Sequence, residues 1–233
     1  MSKHLEKDLE RLKKEILAMG SLVEEVLTTS LKAFFERNAA LAKSIVDKDD
    51  LIDQKENEIE EECLKLLALH QPVAGDLRYI ITALKVNNDL ERMSDYCVNV
   101  AERAIQLAGT KPLPLPENYL KGIEITQTMV RRSLDALVRL DVDLAREVRE
   151  EDDKVDAIHK EMFQIFQEKM KKDPAIIDQA MATLSVFRYM ERVADLATNI
   201  AEDVVFMVEG EIVRHSEGLT YCHCARGGRH CER

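Results

Sequence analysis

The chain has 233 residues, 45% of them apolar and 33% charged, with a formal charge of −11. That length can bury a real core as one large or two small domains. The acidic balance argues against wrapping nucleic acid, which needs a basic face, and suits cations or basic protein surfaces. Glycine (8) and proline (5) are scarce and tryptophan is absent, a composition that favours helix throughout. No apolar run is long enough to cross a bilayer. The opening Met1-Ser2-Lys3-His4-Leu5 lacks the apolar stretch of an export signal, so a cytoplasmic protein is expected, meeting a membrane only through partners. Cys63 and Cys97 sit in helical patterns, where a thiol packs as a small hydrophobe.

Leu5, Leu9, Leu12, Ile16, Met19, Val23 and Val26 alternate spacings of four and three. This is the seam of a helix packed nearly parallel to its neighbours in a bundle. Asn38 is placed to cap a second helix, which runs through Ile45, Ile52, Ile59 and Leu66 to His70. Pro72 disfavours helix at the residue before it. A third helix is predicted from about Asp76 to Ala108. Gly109 to Pro116 contains three prolines and is the natural boundary between halves.

The second half repeats the plan. A helix is predicted from Glu117 to Leu140, and Asp141 takes the capping place that Asn38 held. The next helix reaches about Lys172, Asp173-Pro174 breaks it, and the last reaches about Glu209. The expected fold is all-α: two tandem antiparallel three-helix bundles related by pseudo-twofold symmetry. The expected divisions are a first bundle over 1–108, a linker over 109–116, a second bundle over 117–210 and a tail over 211–233.

One short motif occurs in both halves. Glu91-Arg92-Met93-Ser94-Asp95, followed by Asn99, recurs 100 positions later as Glu191-Arg192-Val193-Ala194-Asp195, followed by Asn199. Helical residues four apart share a face, so Glu91/Asp95 and Glu191/Asp195 are adjacent like charges, unfavourable unless a cation lies between them. The middle helix of each half carries a second pair, Asp49/Asp53 and Asp152/Asp156. Helices joined by a short loop pack antiparallel, so residues equidistant from the turn lie level. Asp53 and Glu91 are equidistant from Pro72, as are Asp49 and Asp95. Asp156 with Glu191, and Asp152 with Asp195, are symmetric about the Asp173-Pro174 bond. Each hairpin is thus expected to bring four carboxylates to one level.

Such oxygen-rich sites suit hard cations, Mg²⁺, Ca²⁺, Mn²⁺ or iron, rather than zinc or copper. Asn99 and Asn199 could add amide oxygens, while Arg92 and Arg192 could pair with a carboxylate or hold an anion. The bland reading is a solvated acidic stripe neutralised by arginines. The same symmetry sets Glu56 opposite Asn88 in the first half and His159 opposite Arg188 in the second. The second site is therefore expected to carry cations where the first carries an acid, and to hold less metal.

On these residues, together with the turn Leu69-His70-Gln71-Pro72-Val73-Ala74-Gly75-Asp76-Leu77-Arg78, the chain resembles the PhoU family over about residues 5 to 210. The resemblance implies paired three-helix bundles that bind multinuclear iron or other metals at the two motifs. It also implies a negative regulator of the phosphate-starvation response, acting with the ATPase subunit of a phosphate ABC transporter and a sensor histidine kinase. A homodimer is expected, and a regulatory adaptor rather than an enzyme, since no nucleophile–base pair or phosphate-cradling glycine loop is visible. The alternatives are an iron-handling carboxylate protein with oxidase activity, raised by Asp156-x-x-His159, and a purely structural scaffold. The tail holds Cys222, His223, Cys224, His230 and Cys231. Their spacing fits no zinc motif, so a flexible terminus is favoured over zinc ligation there.

Overall fold

The computed structural model describes residues 3–211. The elements in chain order are α1 (Lys3–Phe35), α2 (Ala39–Val46), α3 (Asp49–His70), α4 (Ala74–Gln106), α5 (Glu117–Arg139), α6 (Val142–Lys172) and α7 (Ile177–Glu209). A single 3-10 turn, Pro174–Ile176, leads into α7. No strand occurs among the described residues. The Cys/His tail lies outside them.

Two turns of related design open the middle rod of each bundle. Arg37 and Leu140 both adopt the left-handed conformation, with φ of 54° and 55°. The next residue then caps the following helix. Asn38 Oδ1 accepts from the Leu41 amide at 3.0 Å, and Asp141 Oδ1 from the Leu144 amide at 3.0 Å. Both caps stand where the sequence places them, each satisfying an amide the helix leaves orphaned.

One expectation is corrected. The second helix of the first half is not continuous from Asn38 to His70, because it breaks at Asp47-Lys48 into α2 and α3. Its counterpart α6 runs unbroken, carrying Glu150-Glu151 at the matching place. Glutamate is the better interior helix former, whereas aspartate favours helix ends. Asp49 and Asp50 accordingly fill the first turn of α3, where the helix dipole favours negative charge.

In the first bundle α1, α2 and α3 pack on α4, and in the second α5 and α6 pack on α7. The bundles meet mainly through α4 against α7, with α1 against α5 beside them. Since α4 packs against α1, α2, α3 and α7, and α7 against α4, α5 and α6, their apolar stripes are broad. In α4 Leu90, Met93, Cys97 and Val100 are buried, and in α7 Met190, Val193, Ala197 and Ile200 occupy the positions 100 residues later. The core thiols behave as packing groups: burial pushes Cys63 up to about 12. The linker is pinned as well, with Lys169 Nζ donating to the Pro114 carbonyl at 2.8 Å.

Candidate metal centres

The α3–α4 hairpin turns through Gln71, left-handed at φ 45°, which ends α3, and then Pro72-Val73. The two helices return antiparallel. Asp49 therefore lies in the first turn of α3 with Asp53 one turn on, while Glu91 and Asp95 lie midway along α4.

The four acids share one electrostatic neighbourhood. Glu91 is pushed up to about 7, first by burial and then by Asp95, Glu56, Asp53 and Asp49. Asp49 is raised by burial and then by Asp53, Asp95 and Asp50, with the Ser94 hydroxyl offsetting part of this. Asp95 is raised by burial and Asp53 and held back by Arg92. Asp53, exposed to solvent, contributes to all three. Glu56 is a fifth acid within reach of this group, raised by burial, Glu60 and Asp53. Asn87, one position before the expected Asn88, donates to the Glu56 backbone carbonyl at 2.9 Å.

The α6–α7 hairpin repeats the arrangement with all four acids half-buried. Asp152 is pushed up to about 6, by burial first and then by Asp195, Asp156, Asp153 and Glu191. Glu191 is raised by burial and Asp195, and opposed by Arg192 and Arg188. Asp195 is raised by burial, opposed by Arg192 and reinforced by Asp156. His159 stands among them, stacked on Phe187 with ring centroids 6.0 Å apart. Burial holds its ring below the usual imidazole range; Asp156 opposes this, and Arg188, Arg192 and Lys160 reinforce it. The hairpin thus brings His159 and Arg188 into one field, as the symmetry about the turn expects.

As the side chains stand, no three His, Cys, Asp or Glu groups among the described residues converge closely enough to hold one ion. Like-charged carboxylates repel, so a cation would have to gather them. Two observations fit the donor set to a hard cation. Asp49 Oδ1 is shielded from water and lacks a hydrogen-bond partner, a costly state for a carboxylate oxygen, while Glu191 Oε2, equally shielded, is met by Arg192 Nε at 3.5 Å. Moreover, the acids at each site offer only oxygen, the donor hard cations prefer. Asn99 folds back on α4, its Nδ2 donating to the Asp95 carbonyl at 2.8 Å.

Beside the second hairpin lies a polar cleft of about 720 Å³ lined by Arg92, Arg149, Asp152, Arg192, Asp195 and Asn199, among others. The duplicated motif does not mark Arg149, whose Nε lies 3.3 Å from Glu202 Oε1. A signal was present in its partner: Glu202, one turn beyond Asn199, recurs from Glu102, one turn beyond Asn99. Tyr96 and Tyr189 were also missed; they stack between α4 and α7 with centroids 6.2 Å apart.

The chain has relatives among known proteins. The family model described as PhoU domain matches twice, over residues 16–104 and 120–204. A curated Pseudomonas aeruginosa relative, the "Phosphate-specific transport system accessory protein PhoU homolog", is 39% identical over 94% of this chain and 91% of its own length. The Aquifex aeolicus protein of the same name is 40% identical over 90% of this chain and 95% of its own. The crystal structure of PhoU from Pseudomonas aeruginosa superimposes with a TM-score of 0.84 at 37% identity, covering 88% of this chain and 99% of that one. PhoU from Streptococcus pneumoniae gives 0.84 at 28% identity, covering 90% and 99%. Two matched repeats, each ending on an acid-bearing central helix, and agreement along nearly the whole described chain lead to one conclusion: the chain belongs to the PhoU family.

Proposed function

We propose that the chain is a metal-loaded accessory protein of phosphate-specific transport, acting by regulation rather than catalysis. The supporting names are those of its relatives, which are called accessory proteins of that system. The observation that carries the metal part is the repeated hairpin: two separate turns each set four carboxylates into one field, with Asp49 Oδ1 in the first shielded and without a hydrogen-bond partner. Asp49, Asp53, Glu91 and Asp95 would hold metal in the first bundle, and Asp152, Asp156, Glu191 and Asp195 in the second. Asn99 and Asn199 are candidates for further oxygen ligands. A bound iron, Mn²⁺, Mg²⁺ or Ca²⁺ would neutralise the acids and tie the two helices of each hairpin together.

The finer reading is that the loaded bundles restrain the phosphate-starvation response through the ATPase subunit of a phosphate ABC transporter and a sensor histidine kinase. Among the described residues no helix is long and apolar enough to cross a membrane, consistent with a protein that meets a transporter from one side. The test is complementation of cells lacking the gene, read with a phosphate-starvation reporter and by co-purification of the transporter ATPase. The wild type should restore repression and recover the ATPase. A folded Glu91→Gln/Glu191→Gln variant should lose both. Equal repression and recovery by the variant would overturn the metal-dependent reading.

A further inference from the structure

The repeated motif places an arginine after its glutamate in both halves, but the two guanidiniums are used differently. Arg192 lies over its own acids: Nη1 donates to Asp195 Oδ2 at 3.0 Å, and Nε is 3.5 Å from Glu191 Oε2. Arg92 instead reaches back along α4, with Nη1 3.7 Å from Asp89 Oδ1. The sequence explains the difference. The position 100 residues after Asp89 is Tyr189, which offers no carboxylate and is stacked on Tyr96. In the first half Asp89 competes for the arginine, whereas in the second Arg192 has only the site's own acids one turn away.

Other cations lean on the second site too. Lys160 Nζ is 3.8 Å from Asp156 Oδ2, and His159 and Arg188 lie in the same field. The first site has Glu56 where the second has His159.

We propose that Arg192 is a built-in counter-cation of the second hairpin, which a metal ion must displace from Glu191 and Asp195, so that the first hairpin loads before the second. The proposal rests on the metal-centre reading above. A guanidinium and a divalent cation compete for the same carboxylate oxygens, so the arginine weakens metal binding without touching the metal. Arg192 also lines the open cleft, which leaves it space to withdraw.

The test is calorimetric titration of the metal-free full-length chain with Mn²⁺ alone. The wild type should show a tighter and a weaker class of site, with Glu91→Gln removing the first and Glu191→Gln the second. Arg192→Met should tighten the weaker class by up to roughly fivefold, the equivalent of losing one surface ion pair. Arg192→Lys, which keeps the charge, should stay near wild type, and Arg92→Met should leave the tighter class unchanged. An unchanged weaker class in Arg192→Met, with both classes still present, overturns the counter-cation while leaving the metal centres standing. Absence of any binding that depends on Glu91 or Glu191 overturns both.

Discussion

Lys85 on α4 crosses the junction between the bundles to hold Asp203 on α7, Nζ to Oδ1 at 3.1 Å. Asp203 is 2% exposed, and the lysine also lies over the Phe206 ring, 5.1 Å from its centroid. A buried carboxylate is tolerated when paired and costly when its partner is removed. Lys85→Met keeps the apolar stem and removes only the charge. It should destabilise the protein by about 1–3 kcal/mol, less than a fully buried pair because Lys85 reaches solvent. Urea unfolding, read as a lower midpoint at unchanged slope, checks this.

The raised carboxyls give the metal-free protein a pH signature. Glu91 moves from 4.5 to about 7, and Asp152 from 3.8 to about 6. Between those limits the folded chain holds protons that the unfolded chain has released. The stability this contributes is fully present below the unfolded values and is lost as pH rises through the folded ones. Metal-free protein should therefore melt higher near pH 5 than near pH 8, the difference being on the order of 1 kcal/mol per group after solvent screening. Glu91→Gln with Asp152→Asn should flatten the profile. Metal-loaded protein should show the opposite slope, since ligation requires ionised carboxylates.

Two helical glycines should respond oppositely to alanine. A Cβ at Gly122 would sit 2.5 Å from Phe187 Cζ, a ring fixed between Tyr119 and His159. A Cβ at Gly20 would meet only the tip of Leu134, at 2.9 Å, and a leucine can turn aside. Gly122→Ala should cost about 1–3 kcal/mol by overpacking. Gly20→Ala should be neutral or stabilise by up to about 1 kcal/mol through helix propensity. Thermal melts of the two variants separate these outcomes.

Leu140 ends α5 with φ 55° and ψ 39°, a region that costs a leucine on the order of 1 kcal/mol and a glycine little. Its side chain is 47% exposed, so little packing is lost on truncation. Leu140→Gly should raise the melting temperature by a few degrees, equivalent to about 0.5–1 kcal/mol. A fall would mean that the exposed side chain matters more than the backbone strain.

Much of this was legible in the residues because it follows from periodicity and local chemistry. The caps at Asn38 and Asp141, the turn at Pro72 and the level of the acids all depend on spacing within one helix or one hairpin. The break at Asp47-Lys48 was hidden, since the apolar stripe runs through it and only a modest propensity difference from Glu150-Glu151 marks it. Lys85 with Asp203 and Tyr96 with Tyr189 were hidden for another reason. They depend on how α4 meets α7, a long-range contact that no spacing within either half encodes. The different settings of Arg92 and Arg192 combine both kinds of information: Asp89 and Tyr189 are plain in the sequence, but their consequence needs the side chains in place.

The most direct measurement is elemental analysis of the purified chain beside Glu91→Gln/Asp95→Asn, Glu191→Gln/Asp195→Asn and the combination of all four changes. The account predicts bound hard metal in the wild type, a partial loss in each half-variant that is larger for the first hairpin, and near-complete loss in the combination. Metal content that stays the same in all four folded proteins would contradict it.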